Sequence, residues 1–269
     1  MRAKLGELEV DARCVIGIGP PTFGLLEAAL EGMRPFPSLV GRGVEMPGTG
    51  GALWVWLRGE DLGDLLYQDR ALRAHFAGVL EVEAVTDSFR YHSGFDLSGY
   101  EDGTENPVGD DAVRVALLAG VGEGRDGGSF VAVQRWVHDL DTFGDLDKDE
   151  QDQIIGRRKS DNEELQDAPA SAHVKRTAQE DFTPEAFVVR RSMPWCNESE
   201  EGLVFVAFGA SLDPFEAIAR RMLGLDDGIV DALFRFTRPV TGAYFFCPPL
   251  LGGHLDLRAL DSPQLGSAC

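Results

Sequence analysis

The chain has 269 residues, 43% of them hydrophobic, which suits one large domain or two smaller domains with cores of ordinary size. Its 25 Lys and Arg against 45 Asp and Glu give a formal net charge of −20, so nucleic acid and anionic membrane are disfavoured as partners. No apolar run approaches the length of about 18 residues that a membrane helix needs, and from the residues MRAKLGELEVDARC we expect no secretory signal. The four scattered cysteines form no CxxC pair, so we expect a cytoplasmic protein with reduced thiols.

The first half of the chain alternates strand-like and helix-like segments. An apolar run at residues 13–18 predicts a buried strand, and helical spacing of apolar residues predicts a helix over 23–33. A short strand near residues 39–44 and a strand over 52–57, which has the sequence ALWVWL, follow. Residues 60–76 are then predicted to form a helix and residues 79–91 a strand. The resulting order is strand, helix, strand, strand, helix, strand.

The same order returns after a glycine-rich stretch at residues 120–128. The alternating run SFVAVQRWVH predicts a half-buried strand, which a helix over residues 146–158 follows. Strands over 186–190 and 203–208, helices over 214–223 and 228–236, and a strand over 240–247 complete the pattern. Two βαββαβ orders predict an α+β protein with two antiparallel halves, each with helices on one face. We place the halves at residues 1–122 and 123–269.

The stretch GYEDGTENP, at residues 99–107, is a polar turn that two glycines bracket. Asp102 precedes a glycine, which is typical of a tight turn, and Pro107 disfavours a helical conformation at Asn106. A carboxylate is therefore presented between two fixed ends. An ordinary solvated surface loop would also have this composition.

Two residues further along favour a functional interpretation of that turn. His173 lies in a polar, irregular stretch at residues 159–185, which is much longer than the usual connection of about 4–6 residues. Such a loop is either functional or disordered, and a histidine is more often structural than a ligand. Arg190 closes a predicted strand, where it is either a surface cation or a buried donor that faces a ligand.

Several stretches taken together resemble one family, the dye-decolourising peroxidases, which bind haem b. The turn resembles the family's GxxDG signature, and four further segments match in the same order. These are IIGRRKSDNEEL with its IGR motif, SAHVKR around the axial histidine, VVRRSMPW at the distal R-x-[NS]-x-P element, and the C-terminal DALFRFTRPVTGAYFFCPP. The resemblance is strongest from Phe95 to Pro249, and it implies tandem ferredoxin-like halves and the compact cytoplasmic bacterial class.

The resemblance also implies roles for particular residues. It implies one non-covalent haem b per chain in the C-terminal half, with His173 as axial ligand of the iron and Asp231 as the hydrogen-bond partner of that histidine. Asp102 and Arg190 would lie on the distal side with Ser192, where other members have Asn. Arg157 would contact a haem propionate.

The implied function is a haem peroxidase that reduces hydrogen peroxide and oxidises an organic one-electron donor, such as a dye or a phenol, through a ferryl intermediate. A haem carrier or iron-handling protein of the same fold is one alternative. A cargo protein of an encapsulating shell is another, although the polar tail at residues 257–269 is no clear targeting peptide. We also expect a homo-oligomer, and Trp136, Trp195 and Tyr244 are candidates for electron relay by residue type.

Overall fold

The structure is a computed structural model, and it describes residues 1–261. The strands in chain order are β1 Cys14–Ile18, β2 Leu39–Val40, β3 Glu45–Met46, β4 Leu53–Leu57, β5 Ser129–His138, β6 Val189–Cys196, β7 Glu201–Gly209, β8 Thr237–Pro239, β9 Ala243–Cys247, β10 Leu250–Leu251 and β11 His254–Leu255. The α-helices are α1 Arg2–Gly6, α2 Pro20–Leu25, α3 Leu62–Phe76, α4 Gly109–Ala116, α5 Leu140–Gly144, α6 Lys148–Ile155, α7 His173–Arg176 and α8 Asp213–Met222. Short 3-10 helices cover Gln179–Asp181, Ala232–Arg235 and Leu257–Leu260. The rest of the predicted tail, from residue 262, lies outside the described residues.

One antiparallel sheet holds most of the strands, in the order β4-β1-β9-β5-β7-β6, with β8 paired to β5. The four strands β9-β5-β7-β6 alternate with α6 and α8 along the chain and have the 4-1-3-2 order of a ferredoxin-like βαββαβ unit. The predicted α+β class with antiparallel pairing is therefore confirmed, and the second half has the predicted topology.

The first half contributes two strands to the same sheet. β1 pairs with β4 over its whole length and joins β9 through Ile18 and Phe246. Strands from both predicted halves thus share one sheet, and the division between residues 122 and 123 stays a prediction. The predicted strand over residues 79–91 is wrong, because only Ser88 forms a bridge, with Trp195, and Val82 and Val85 are exposed. Its alternating pattern has no neighbouring strand to pair with over most of its length.

Other predicted boundaries shift for local reasons. The helix predicted over residues 23–33 is the shorter α2, and Glu27 just beyond it has a left-handed φ of 52°. The strand predicted over 186–190 is β6, which begins at Val189 and passes through Pro194. A proline is tolerated there because β6 is an outer strand of the sheet.

The two faces of the main sheet have different surroundings. One face packs against α8 and the N-terminal segments through residues such as Phe130, Ala207 and Phe246. The other face holds a smaller apolar cluster that includes Phe245 and Trp54. On that face the rings of Trp56 on β4 and Phe208 on β7 are 6.5 Å apart. Four strand spacings would separate β4 and β7 by about 19 Å in a flat sheet, so the sheet curls towards this side.

Within residues 1–261, none of the helices combines the length and apolar character that crossing a membrane requires. The longest of them, α3, has 15 residues, among which are several charged side chains.

Candidate active site

A cavity lies on the face of the main sheet that packs against α8. Its walls are mostly apolar, and strands β5, β6 and β7 and helices α7 and α8 contribute to them. The polar residues among its lining are Asp102, Gln134, His138, His173, Thr177, Arg190 and Thr237. Three of the residues predicted from sequence, Asp102, His173 and Arg190, therefore line one cavity, although they are far apart in the chain.

His173 begins the short helix α7, and a buried carboxylate holds its ring. Nδ1 of His173 lies 2.8 Å from Oδ2 of Asp231, whose side chain is fully buried. The other oxygen of Asp231 accepts the backbone N–H of Leu233 at 2.8 Å, which fixes the carboxylate at the start of a 3-10 helix. A donating Nδ1–H leaves Nε2 of His173 as the free lone pair of the ring, the arrangement that metal-binding histidines use.

The charges around His173 act on its pKa in opposite directions. Burial lowers the pKa of His173, and Arg190 acts in the same direction. Asp231 raises it, through its charge and its hydrogen bond, and Asp102 adds to that effect, so the pKa lies above the ordinary histidine value. The two carboxylates therefore outweigh burial and Arg190 in setting the direction of this pKa shift.

Asp102 and Arg190 meet on another part of the cavity wall. Nε of Arg190 donates to Oδ1 of Asp102 at 3.4 Å, a long contact, and both side chains are mostly buried. The same Oδ1 accepts the N–H of Gly103, whereas these bonds leave Oδ2 of Asp102 uninvolved. One carboxylate oxygen is thus anchored, and the other is available to a ligand.

Asn106 joins the loop of Asp102 to the outer edge of β6. Its Oδ1 accepts the backbone N–H of Arg190 at 2.8 Å, and its Nδ2 donates to the carbonyl of Arg190 at 3.0 Å. The side-chain amide thereby takes the place of a neighbouring strand for that one residue. The sequence had singled out Asn106 only as the end of a turn, whereas the structure connects it to the backbone of the residue that contacts Asp102.

A second set of contacts holds the loop of Asp102 against the residues around α6. Lys159 donates from Nζ to the carbonyl of Ser98 at 2.6 Å, and it lies so close to Gly99 that a Cβ there would be only 2.5 Å from its chain. Gly99 also has a left-handed φ of 85°, and this backbone conformation is the reason that glycine is favoured at the position. Tyr100 donates its hydroxyl to Asp152 on α6, and both side chains are buried.

Burial raises the pKa of Tyr100, and its bond to Asp152 raises it further, so the phenol stays protonated and donates. The loop is therefore fixed to α6 by Tyr100, which donates as a neutral phenol, and by the carboxylate of Asp152, which accepts. This contact explains why the turn is ordered although its composition is that of a solvated loop.

Asp96 and His138 form a pair that the sequence interpretation missed. Nε2 of His138 lies 3.1 Å from Oδ1 of Asp96, and Nδ1 lies 2.6 Å from the hydroxyl of Thr237. Burial raises the pKa of Asp96, but the hydrogen bonds from His138 and Ser98 lower it more, so the pKa lies below the usual range. The alternation of side chains along β5 places His138 on the same face as Trp136, and this could be predicted from the sequence. The contact of His138 with Asp96 could not.

Two buried polar groups at the site have no hydrogen-bond partner among the described residues. Ser192 has an unpartnered Oγ, and it pairs with Phe205 in the sheet, which places it on the cavity face. Gln134 lines the cavity, and its Nε2 is unpartnered while its Oε1 accepts the indole N–H of Trp136 at 3.3 Å. Buried polar groups without partners are uncommon, and such groups at a cavity indicate a ligand that hydrogen-bonds to them.

Arg157 lies outside the cavity lining. Its guanidinium donates to Glu105 at 2.7 Å and to the carbonyl of Asn162 at 2.9 Å. The structure therefore connects Arg157 to the loop of Asp102, through Glu105, rather than to the cavity itself.

Comparisons with known proteins agree with this arrangement. The family model for the C-terminal part of Dyp-type peroxidases matches residues 94–251, which include every site residue discussed above. A dye-decolorizing peroxidase of Mycobacterium tuberculosis is 33% identical over 226 residues, which are 81% of this chain and 67% of that protein. The chain spans about two thirds of the length of the curated relatives that it matches.

Solved structures are similar over a larger share of their length. A dye-decolorizing protein from V. cholerae has a TM-score of 0.81 and 34% identity, and the match covers 87% of this chain and 79% of that one. A DypB variant from Rhodococcus jostii, whose structure is a complex with heme, has a TM-score of 0.82 and 31% identity, with coverage of 88% and 79%.

Proposed function

The chain belongs to the Dyp-type peroxidase family, and on that premise we propose that it is a haem b peroxidase that reduces hydrogen peroxide at the expense of an organic one-electron donor. The observation that carries the proposal is the pairing of His173 with a fully buried Asp231 in the cavity that Asp102 and Arg190 also line.

The residues of the cavity fit a haem. A flat macrocycle needs apolar walls, and most of the lining is apolar. Its iron needs one strong protein ligand, and the free Nε2 of His173 is a suitable donor because Asp231 orients the ring and raises its basicity. The unpartnered Nε2 of Gln134 and Oγ of Ser192 indicate a polar ligand on the sheet side.

Bound haem would supply the redox chemistry, since the iron and the porphyrin together can hold the two oxidising equivalents of peroxide and pass them to donors one electron at a time. The chain would supply the proton transfer. Oδ2 of Asp102 would accept a proton from one oxygen of the peroxide and return it to the other oxygen, which leaves as water. Two donor molecules then give up one electron each. These two electrons and two protons convert the second oxygen of the peroxide to water.

Arg190 would hold the peroxide while this proton moves. Its guanidinium has donors beyond the one that contacts Asp102, and its backbone is fixed at both groups by Asn106. Preorganised donors in a mostly apolar cavity stabilise developing negative charge more strongly than water does. Ser192, which lies on the same face of β6, would provide a weaker second donor.

Arg157 is proposed as the partner of a haem carboxylate. Because its guanidinium is engaged with Glu105, which is itself mostly exposed, this role requires an exchange of one carboxylate for another. Glu105 lies three residues after Asp102, so haem binding would also release a contact of the catalytic loop.

The first experiment is titration of the haem-free protein with hemin, followed by the Soret band. We expect wild type to bind one equivalent, and His173→Ala to lose the band or shift it towards that of free hemin. Asp231→Asn should still bind haem, but the reduction potential of the iron should differ from that of wild type. His75→Ala is the matched control, because this ring contacts the carbonyl of Lys4 away from the cavity. A wild-type protein that stays colourless with excess hemin would contradict the proposal.

Stopped-flow mixing of the loaded protein with peroxide tests the distal roles. Loss of a general acid–base group costs about 10²–10⁴-fold, so Asp102→Asn and Arg190→Leu should each slow the peroxide-induced Soret change by at least tenfold. Glu101→Gln is the control, since its carboxylate is adjacent but contacts only Asn162 among the described side chains. Rapid transfer of haem to apomyoglobin without peroxide turnover would instead favour the haem carrier.

A further inference from the structure

His173 and its partner Asp231 belong to two segments of the chain that lie side by side. One segment is α7 with the two residues before it, and the other is the stretch over residues 223–232 that follows α8. Three contacts join them, and the order of these contacts along one segment is the reverse of their order along the other. The two segments are therefore antiparallel, and the bond between His173 and Asp231 is the middle contact.

A backbone hydrogen bond forms the first contact. The carbonyl of Ser171 accepts the N–H of Ala232 at 2.7 Å. Ser171 lies two residues before His173, and Ala232 follows Asp231 directly. The two segments are thus held together immediately beside the histidine and its carboxylate.

The guanidinium of Arg176 forms the third contact, on the other side of His173. Its Nη1 donates to Oδ2 of Asp227 at 2.7 Å, and its Nη2 donates to Oδ1 at 2.8 Å. Nη2 also donates to the carbonyl of Arg221 at 2.6 Å. Asp227 is itself held, because its Oδ1 accepts the N–H of Ile229 at 2.9 Å. Arg176 therefore joins α7 both to the end of α8 and to the segment that leads to Asp231.

This ion pair differs from the surface pairs of the chain. The side chain of Arg176 is only 5% exposed, and a buried guanidinium is costly unless it is paired in good geometry. The hydrogen bond from Arg176 also holds the pKa of Asp227 below its usual range. By contrast, Arg220 makes one contact of 3.2 Å with Asp226 in the same region, and both of those side chains are nearly half exposed.

The helix α7 depends on such contacts for its position. It has four residues, His173–Arg176, and a helix of that length is not stable by itself. Its side-chain cation is the last residue of the helix, and His173 is the first. The direction in which the imidazole points is therefore determined by what holds the two ends of α7.

We propose that Arg176 is a positioning residue for the axial ligand His173. Its pair with Asp227 fixes the end of α7, the backbone bond at Ser171 fixes the beginning, and the imidazole is thereby held against Asp231. The inference rests on the proposed function, because its consequence for the iron requires that His173 be the ligand.

The consequence for the iron follows from the hydrogen bond at Nδ1. A carboxylate that accepts this N–H makes the imidazole a stronger donor through Nε2. A stronger donor stabilises ferric iron relative to ferrous iron, and hydrogen bonding around the axial ligand is one of the means by which a protein sets this potential. Loss of the Arg176 pair should lengthen the bond to Asp231 and weaken this donation.

The first test uses the haem-free protein, labelled with ¹⁵N at histidine. The Nδ1 proton of His173 should give a low-field NMR signal that His173→Ala removes. Arg176→Met should move this signal to higher field, since the hydrogen bond to Asp231 becomes longer. Arg220→Met is the matched control, because it removes a neighbouring cation that does not contact α7, and it should leave the signal in place.

The second test uses the loaded protein. Loss of a hydrogen-bond partner around a metal ligand costs about 10- to 100-fold in affinity, so Arg176→Met should lose hemin to apomyoglobin about tenfold faster than wild type. Its iron should have a more positive reduction potential. Arg176→Lys keeps the charge and one donor to Asp227, and it should recover part of both effects. Arg220→Met should behave as wild type.

Asp227→Asn keeps the proposal testable if Arg176→Met does not fold. The side chain of Asp227 is 41% exposed, so an amide is tolerated there more easily than an uncharged residue at Arg176. Asp227→Asn should move the Nδ1 signal, the rate of hemin loss and the potential in the same directions as Arg176→Met.

Two results would overturn the proposal. One is that the folded variants of the Arg176 pair unfold at lower urea concentration but keep the wild-type Nδ1 signal and the wild-type potential, which would make the pair purely structural. The other is that Arg220→Met moves the Nδ1 signal as far as Arg176→Met does. A wild type that binds no hemin would contradict the proposed function, whereas the signal of the haem-free protein would still decide whether Arg176 positions His173.

Discussion

The main sheet ends at β6 on one side and at β4 on the other, and the two edges differ in what covers their backbone. Along β6, Asn106 pairs with both backbone groups of Arg190, Phe89 donates to Pro194, and Ser88 bridges to Trp195. Along β4, within residues 1–261, the outward backbone groups of Leu53, Val55 and Leu57 have no partner of this kind.

The difference shows how a sheet edge can be used to build a site. At β6, covering the edge with a loop instead of a strand brings Asp102 of that loop against Arg190 of the strand. The segment that covers β6 is an irregular loop, and its irregular backbone directs the carboxylate of Asp102 into the cavity. At β4, the regular and uncharged backbone leaves no site of that kind, and its free groups are suited to another strand. The following predictions change the covered edge at β6 or the loop that covers it.

The largest effect should come from removing the cover of β6 with Asn106→Ala. Two backbone groups of Arg190 lose their partners, which costs about 1–3 kcal/mol for each group that stays buried. We expect urea unfolding to show a loss of about 2–4 kcal/mol, and the loaded protein to react with peroxide at least tenfold more slowly, because the distance from Asp102 to Arg190 is no longer set.

Asn197→Ala is the control for that change. Asn197 follows β6 directly and accepts hydrogen bonds from Ser199 and Glu200 in an exposed turn. It should cost less than about 1 kcal/mol, as surface substitutions usually do, and leave the peroxide reaction unchanged. Equal losses for the two variants would show that Asn106 acts only as a turn residue.

The cover of β6 should loosen at low pH through Asp96, which lies in the same loop. The pKa of Asp96 in the folded protein is below its unfolded value of about 3.9. The stability that it contributes is therefore complete above about pH 4 and is lost as the pH falls through the lower, folded value. Asp96→Asn should show a flatter dependence of unfolding free energy on pH in this window.

Asp139→Asn provides the comparison for that slope. Hydrogen bonds from Thr142 also lower the pKa of Asp139, but this carboxylate is exposed at the start of α5 and covers no sheet edge. Asp139→Asn should change the slope less than Asp96→Asn does. A wild-type slope in Asp96→Asn would mean that His138 does not stabilise the ionised carboxylate.

The smallest effect should come from Ser192→Ala on β6. The hydroxyl of Ser192 is buried and has no hydrogen-bond partner in the described part of the chain, so its removal should leave the haem-free protein as stable as wild type or up to about 1 kcal/mol more stable. In the loaded protein the same change should slow the peroxide reaction by less than tenfold. A clear loss of stability without haem would reveal a hydrogen bond to Ser192 in the free protein.

Where a strand or helix carries its own pattern, the sequence was sufficient. The alternation in SFVAVQRWVH located β5 at Ser129–His138, and the apolar aromatic run located β4. The same rule failed at residues 79–91, because alternation signals a strand only if another strand lies beside it. Which strands neighbour one another depends on contacts between distant parts of the chain, and no local pattern contains them.

The site residues also differ in whether a local pattern in the sequence could identify them. Asp102 and His173 stood out from their local settings, and Asp231 was named only through the family resemblance, since nothing near it in the chain distinguishes it. The clamp of Asn106 on Arg190 spans 84 residues, and the contact of His138 with Asp96 spans 42. Both depend on how the loop docks onto the sheet, which the sequence alone does not state.

The positions of the four tryptophans give the protein two separate optical reporters. Trp136 lines the cavity, and Trp195 donates its indole N–H to the carbonyl of Trp136. Trp54 and Trp56 lie at the opposite edge, on β4. A haem in the cavity would absorb the emission of the first pair most strongly, whereas a strand added at β4 would change the polarity around the second pair. Fluorescence of a Trp136→Phe, Trp195→Phe variant would therefore report on the surroundings of β4, and that of a Trp54→Phe, Trp56→Phe variant would follow haem loading.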